Sequence, residues 1–399
     1  MKFRAAAVCG ILLTLALAGC AAPGAQAPSS TPAADEPHGH IDGARELAEP
    51  ALHLATIDPS GTVAHLDLLD EQSEVLAEIE PIDDLVTDGR YLFGIRDGSV
   101  TVIDSGAWTW SHIDHFHYYE AAARVLGDVT GAGTARVVAG DVGTGILFDD
   151  AAVLLENAGL AAGELVETFR IEVEPHEGMV VPLADGAAVT EPDAEGDVAA
   201  LRVVDAGGEA VGTVACEQPA GSIFTVVGVV VGCADGAVLA VGGDAQEWES
   251  IPYPVGTADR AIEFAGRKWR PTVAGVSGGS GVWLLDTRER AWSFQDLGEP
   301  IVTAAAVDDK AEHVLALAQS GAVLVLADGE VVSRTEPLAA ASLADSDSAR
   351  HVRFVVDQNR AYLNGPAEGS LWEIDPADGA RIARTFDVVE PLHLAGTGR

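Results

Sequence analysis

The stretch Gly98-Ser-Val-Thr-Val-Ile-Asp104 decides the fold, because its pattern of glycine, apolar strand and polar turn recurs along the chain. The other seven copies lie at residues 61–67, 145–149, 201–205, 236–241, 281–286, 321–327 and 369–375. A unit that returns roughly every 40 residues is typical of a β-propeller whose blades have four strands each. We therefore predict an all-β fold, with a single propeller over residues 45–399.

The number of blades follows from the same repeats. We count eight, with seven as the alternative because ring closure often shares strands between the two ends of a chain. Glu-Pro pairs mark the connections between blades, since proline cannot donate a hydrogen bond within a strand ladder. They precede apolar runs at Glu49-Pro50, Glu80-Pro81, Glu174-Pro175, Glu299-Pro300, Glu336-Pro337 and Glu390-Pro391.

The N-terminus has the features of a secreted lipoprotein. Lys2 and Arg4 precede an apolar run over residues 5–18 that is too short to span a bilayer. The sequence Leu17-Ala-Gly-Cys20 resembles the lipobox of bacterial lipoproteins, in which cleavage before the cysteine leaves that residue to carry the lipid. We predict a signal peptide over residues 1–19 and a lipidated flexible tether over residues 20–44. The mature protein is then extracytoplasmic and anchored to the cell membrane through Cys20.

The formal net charge of the chain is −39 at pH 7. Such an acidic protein does not bind nucleic acid by neutralising phosphates. The acidity favours solubility, and its negative field concentrates cations near the surface.

Two cysteines remain once Cys9 leaves with the signal peptide and Cys20 is lipidated. Cys216 and Cys233 flank a stretch that predicts a strand, a turn and a second strand. Two neighbouring strands would bring the thiols within bridging distance, and an oxidising compartment favours a disulfide. The alternative is a pair of metal thiolates.

The segment Ser111-His-Ile-Asp-His-Phe-His-Tyr-Tyr119 is the strongest signal of chemistry in the chain. His115 and His117 alternate, so on a strand both imidazoles point to one face. Two neutral imidazoles on one face begin a site for a borderline transition metal such as zinc. The alternative is an edge strand with solvated histidines.

The propeller predicts partners for this pair. Connections from an outermost strand to the next innermost strand run across one face towards the axis, and we place residues 112–119 and 173–179 in two such connections. His115, His117 and His176 should then converge at the mouth of the central channel. The carboxylates of Glu177, Asp114 and Asp141 are the choices for a fourth ligand.

Four further histidines are interpreted separately. His351 and His393 could face the channel, but we predict structural roles for both. His38 and His40 lie in the sequence Glu36-Pro-His-Gly-His40 of the tether. A mobile His-x-His beside a fixed site could hand on zinc by ligand exchange, and the alternative is a solvated tail.

The sequence contains no paired cysteine nucleophile and no His-Glu-x-x-His helix. We therefore predict that the protein is not an enzyme. A hydrolase or lyase that uses an open zinc position is a weaker alternative.

The chain resembles the AztD family of periplasmic zinc metallochaperones, which are β-propellers that pass zinc to the solute-binding protein of an ABC transporter. The resemblance rests on His38-Gly-His40, His115-Phe-His-Tyr-Tyr119, Pro175-His-Glu-Gly178, Cys216 with Gly232-Cys-Ala-Asp-Gly236, Arg360-Ala-Tyr362 and Asp375-Pro-Ala-Asp-Gly-Ala-Arg-Ile-Ala-Arg384. It implies a zinc site at the propeller mouth that uses the His-x-His and Pro-His segments, and a flexible N-terminal motif for transfer. The chain lacks histidines that the family pattern has near Pro219 and Asp141.

These observations lead to one main functional hypothesis. The protein is predicted to be a monomer that binds Zn²⁺ and delivers it to the solute-binding protein of an ABC zinc importer. The alternative is a metal-independent propeller that acts as a scaffold for envelope proteins.

Overall fold

The computed structural model describes residues 41, 43–112, 115–245, 247–256 and 259–399. In these residues eight antiparallel sheets surround one channel, and a further three-stranded sheet lies outside the ring. The predicted all-β propeller of eight blades is confirmed.

Apart from the last strand of the chain, which belongs to blade 1, the strands of the first four blades precede residue 216. Blade 1 contains β2 (His53–Ile57), β3 (Thr62–Asp67), β4 (Ser73–Glu78) and the last strand of the chain, β34 (His393–Thr397). Blade 2 contains β5 (Asp84–Thr87), β6 (Tyr91–Asp104) and β9 (Arg124–Thr134). Blade 3 contains β10 (Arg136–Ala139), β11 (Thr144–Leu147), β12 (Ala151–Leu155) and β13 (Glu167–Glu172). Blade 4 contains β14 (Val180–Leu183), β15 (Gly186–Pro192), β16 (Val198–Asp205) and β17 (Ala210–Ala215).

The remaining blades follow the same order from the channel outwards. Blade 5 contains β18 (Ser222–Phe224), β19 (Gly228–Cys233), β20 (Gly236–Val241) and β21 (Trp248–Pro252). Blade 6 contains β22 (Glu263–Ala265), β23 (Thr272–Val276), β24 (Gly281–Asp286) and β25 (Ala291–Asp296). Blade 7 contains β26 (Ile301–Ala306), β27 (Val314–Ala318), β28 (Val323–Ala327) and β29 (Glu330–Arg334). Blade 8 contains β30 (Phe354–Val356), β31 (Ala361–Gly365), β32 (Ser370–Asp375) and β33 (Arg381–Asp387).

The sheet outside the ring consists of β1 (Arg45–Leu47), β8 (His115–Glu120) and β7 (Ala107–His112), paired in that order. The helices are short: α1 (Asn157–Ala162), α2 (Ala340–Ala344), α3 (Ser346–Ala349) and one turn of 3₁₀ helix, Pro376–Asp378. Within the described ranges, none of them has the length and apolar character needed to cross a membrane.

Blade 2 has four strand positions although only three strands form it. The first part of β6 pairs with β5 and the second part with β9. The chain turns back within β6 near Gly98, whose φ of +72° suits glycine. As a result Arg90, just before β6, lies beside Asp104 at its end, with Nε 3.0 Å from Oδ1, and the Ser105 amide donates to the Arg90 carbonyl at 3.2 Å.

The burial of the strands follows from their place in a blade. The strand Ala151–Leu155 is buried at every residue, because neighbouring blades pack against both of its faces. The outermost strand Ala210–Ala215 is exposed at nearly every residue. Continuous Val, Leu and Ala runs therefore lie in the middle of the blades, and polar residues lie on the rim.

The ring closes in blade 1, where the last strand of the chain pairs with the first blade strand from His53 opposite Thr397 to Ile57 opposite His393. His65 of the next strand reinforces this closure, since its Nε2 lies 2.6 Å from Thr397 Oγ1. Its ring also stacks on that of His53, with 4.1 Å between centroids.

Because His65 is buried, the free energy of unfolding should fall in acid. Burial, with a contribution from nearby His53, lowers the pKa of His65 to about 3. The unfolded chain takes up a proton below about pH 6.5 while the folded chain does not, so stability is lost as the pH falls from 6.5 towards 3. At pH 5 the loss from His65 is about 2 kcal/mol.

Urea unfolding at pH 7.5 and pH 5.0, with a chelator present, measures this effect. A His65→Asn variant should lose about 2 kcal/mol less between the two pH values than the parent chain. Equal losses in both proteins would show that His65 does not cause the acid sensitivity.

The two ends of the channel differ in the residues they carry. The eight innermost strands run in the same direction along the channel. They begin at the end that we name the start end, and they finish at the end that we name the finish end. These strands are β34, β5, β10, β14, β18, β22, β26 and β30. At the start end, Arg353 bonds Asp84, with 2.8 Å between Nη2 and Oδ1. At the finish end, Lys268 lies 2.8 Å from Asp141 and donates to the Asp88 carbonyl at 2.7 Å.

The histidine-bearing sheet lies at the finish end. Its hairpin of β7 and β8 is inserted between the third and fourth strand positions of blade 2, at the same end as Asp104. Thr109 Oγ1 donates to the Gly398 carbonyl at 2.8 Å, which ties the hairpin to the end of the last strand. The predicted placement in a connection between two blades is wrong, because the segment is an insertion within one blade.

Candidate metal centre

His115 and His117 face each other on the inserted sheet. Alternation along β8 places both rings on one face, and their Nε2 atoms are 2.9 Å apart. His117 is buried with 6% of its surface exposed, whereas His115 is exposed. Two nitrogens bound to one tetrahedral zinc ion at 2.0–2.1 Å lie about 3.3 Å apart. The observed pair is therefore close to the arrangement of two zinc ligands.

A carboxylate fixes the orientation of His117. Glu46 lies opposite Tyr119 in the register of β1 and β8, and its Oε1 is 2.6 Å from His117 Nδ1. Since the carboxylate accepts, Nδ1 carries the proton, and Nε2 of a neutral ring then presents its lone pair towards His115. Metal-binding histidines commonly have such a carboxylate behind the ligating nitrogen. Glu46 cannot be recognised as a functional residue from the sequence, because an acidic residue near the tether gives no signal of its own.

Aromatic rings support the pair on the same face of the sheet. His117 stacks between Trp110 and Tyr119, at centroid distances of 5.5 and 6.1 Å. Tyr119 in turn stacks on Trp108 at 5.1 Å, and the Arg90 guanidinium lies 3.7 Å from the Trp108 ring centroid. This packing limits the rotation of the His117 ring.

The structure does not bring His176 to this pair. His176 precedes the first residue of β14 by four positions, so it lies at the start end of the channel, opposite to His115 and His117. Both of its ring nitrogens have protein partners, with Nδ1 2.7 Å from the Glu174 carbonyl and Nε2 2.8 Å from Thr190 Oγ1. The expected convergence of the three histidines is wrong, because the two segments occupy opposite ends of their blades.

The two described carboxylates that we considered as fourth ligands have other partners. Glu177 lies beside His176 at the start end and pairs with Arg136 at 2.8 Å. Asp141 lies at the finish end, where it pairs with Lys268 and accepts from Trp269 Nε1 at 2.6 Å. Asp141 is nonetheless near the inserted sheet, since the Trp269 ring stacks on Phe116, 5.7 Å between centroids.

A second group of metal-binding residue types lies at the start end. Asp84, His351 and His393 each offer a ligand atom, and these atoms lie within 4.8 Å of one another. His351 and His393 are buried, with 2% and 0% of their surface exposed. The sequence predicts structural roles for both histidines; the fold instead gathers them into a group that could hold a metal ion.

Four of the predicted functional residues, Asp114, His38, His40 and Cys20, lie outside the described residues. The pairing of Cys216 with Cys233 is confirmed, and it joins blade 4 to blade 5. A disulfide is typical of proteins that reside outside the cytoplasm.

No family model and no curated protein matches the sequence. Among solved structures, AztD from Citrobacter koseri superposes in its apo form with a TM-score of 0.73, and the match covers 88% of this chain and 98% of that one. The chain therefore shares the β-propeller fold of AztD. A second crystal structure of the same AztD gives a TM-score of 0.74, and sequence identity is 21% in both.

The chain also superposes on the dihydro-haem d1 dehydrogenase NirN. That match has a TM-score of 0.56 and 15% identity, and covers 88% of this chain and 76% of NirN. At such identities the likeness concerns the fold alone, and the same fold accommodates different functions. Function therefore has to be argued from the residues.

Proposed function

We propose that the protein binds Zn²⁺ outside the cytoplasm and delivers it to the solute-binding protein of an ABC zinc importer, without catalysing a reaction. The observation that carries this proposal is the His115 and His117 pair, with its two Nε2 atoms 2.9 Å apart and Glu46 behind one ring. Neutral imidazole nitrogens held by a carboxylate are the ligands that zinc prefers. The AztD-like fold and the resemblance of the sequence to zinc metallochaperones support the choice of zinc and of the acceptor.

The tether supports a transfer role in this proposal. In the sequence His40 precedes Glu46 by six positions. We propose that His38 and His40 take over the zinc held by His115 and His117, and that Asp114 is a further ligand of the ion before transfer. Transfer would then replace one zinc bond at a time, so that no free ion forms. An anchor through Cys20 would keep the chaperone close to its membrane transporter.

Zinc binding to the full chain in detergent tests the first half of the proposal. After chelator treatment and zinc titration, a His115→Asn/His117→Asn variant should bind about one zinc ion fewer than the parent. A His176→Asn variant is the matched control and should keep the full zinc content, because both nitrogens of His176 are bonded to other protein groups.

Transfer to a zinc-free solute-binding protein tests the second half. With excess EDTA present, zinc should move from the loaded chain to the acceptor with little loss to the chelator. Unchanged zinc content in the double variant would overturn the binding site. Complete loss of zinc to EDTA would overturn delivery, whereas a parent chain that takes up no zinc would favour the metal-independent scaffold.

A further inference from the structure

The group at the start end of the channel depends on ring closure. Asp84 begins the innermost strand of blade 2, His393 begins that of blade 1, and His351 lies just before that of blade 8. These three strands are neighbours around the ring, so residues that are 309 positions apart in sequence meet at one end of the channel. The two imidazole centroids are 4.4 Å apart, with their planes at 69°.

The buried histidines have poorly paired ring nitrogens. Among the described residues, the two ring nitrogens of His393 and Nδ1 of His351 have no partner with full hydrogen-bond geometry, although the Ile82 backbone lies beside the His393 ring. Buried polar atoms in native proteins almost always have a hydrogen-bond partner, because an unpaired buried atom loses its hydration without gaining a bond in return. Poorly paired buried nitrogens beside the Asp84 carboxylate point to a ligand that would bind all three side chains.

We propose that Asp84, His351 and His393 form a second site for a borderline divalent metal ion such as Zn²⁺, separate from the His115 and His117 pair. Two imidazoles and a carboxylate form a ligand set that zinc uses, with a fourth position left for water. The two sites lie at opposite ends of the channel, and this proposal does not depend on the delivery function.

Two arginines lie beside this site. Arg350 Nε donates to His351 Nε2 at 2.9 Å, and Arg353 Nη2 donates to Asp84 Oδ1 at 2.8 Å. Asp84 Oδ1 also accepts a hydrogen bond from the Leu85 amide, at 2.8 Å. A metal ion that binds here competes with the Arg350 guanidinium for His351. Removing that guanidinium should strengthen metal binding.

The test uses the full chain that carries His115→Asn and His117→Asn, titrated with Co²⁺ and then with Zn²⁺. Co²⁺ reports coordination through its visible spectrum. This variant should still bind about one ion, and adding His393→Gln should abolish that binding. Asp84→Asn should weaken binding at least tenfold, and Arg350→Gln should strengthen it.

These outcomes separate the site from general damage to the fold. If circular dichroism shows that the His393→Gln variant does not fold, Asp84→Asn and Arg350→Gln decide whether the site exists. These two substitutions are expected to shift the metal affinity in opposite directions. Binding that none of these substitutions changes would overturn the second site. A complete absence of bound metal in the His115→Asn/His117→Asn chain would also overturn it. Failure of zinc delivery, by contrast, would leave the proposal of a second site unaffected.

Discussion

Replacing Asp104 with alanine is expected to lower the free energy of unfolding by about 3–5 kcal/mol. The Asp104 side chain is 3% exposed and accepts two bonds from Arg90, at 3.0 Å from Nε and 2.9 Å from Nη2. It also accepts from the Gly106 amide at 3.1 Å, where the chain leaves blade 2 for the inserted sheet. Without Asp104, the Arg90 guanidinium stays largely buried against Trp108 with no carboxylate beside it.

Chemical denaturation of Asp104→Ala measures this effect. Glu167→Ala is the matched control, since Glu167 forms the same two-bond contact with Arg170 at 35% exposure of both side chains. An exposed pair of this kind contributes at most about 1 kcal/mol. Similar losses in the two variants would show that burial of the pair is not what stabilises blade 2.

Removing the disulfide through Cys216→Ala/Cys233→Ala is expected to cost about 3 kcal/mol. The two cysteines are 17 positions apart, so the bond closes a short loop and reduces the conformational freedom of the unfolded chain. Both residues are 2% exposed, and alanine keeps each site apolar. Because Cys216 follows the outermost strand of blade 4 and Cys233 ends the second strand of blade 5, the bond also joins two blades.

Unfolding with and without a thiol reductant checks the contribution of the disulfide. The parent chain should fall to the stability of the double variant when it is reduced, and the double variant should not respond to the reductant. A parent chain whose stability does not change on complete reduction would contradict the prediction.

The repeats predicted most of the fold because a blade is a local unit. The stretch from Gly98 to Asp104 begins in a tight turn and continues into the third strand position of blade 2, as its alternation of apolar residues indicates. The turn and the two strands around it lie within about fifteen residues, so local sequence is enough to predict them.

The site was harder to predict, because insertions and ring closure move residues over long distances. Nothing in the composition of residues 107–120 distinguishes a connection between blades from a hairpin inserted within one. The two alternatives place His115 at opposite ends of the channel, and the pairing of Asp104 with Arg124 decides between them. The wrong expectation that His176 lies beside His115 and His117 follows from this ambiguity in the position of residues 107–120.

The sequence by itself determined the class of fold and the His115 and His117 pair on one strand face, and it predicted the eight blades and the disulfide that the structure confirmed. Each of these depends on residues that are close in the chain or on a repeat that can be counted. Only the tertiary structure decided which end of the channel each histidine occupies, that Glu46 lies behind His117, and that Asp84, His351 and His393 meet. Those contacts depend on the closure of the ring by the last strand, which joins residues from both ends of the chain.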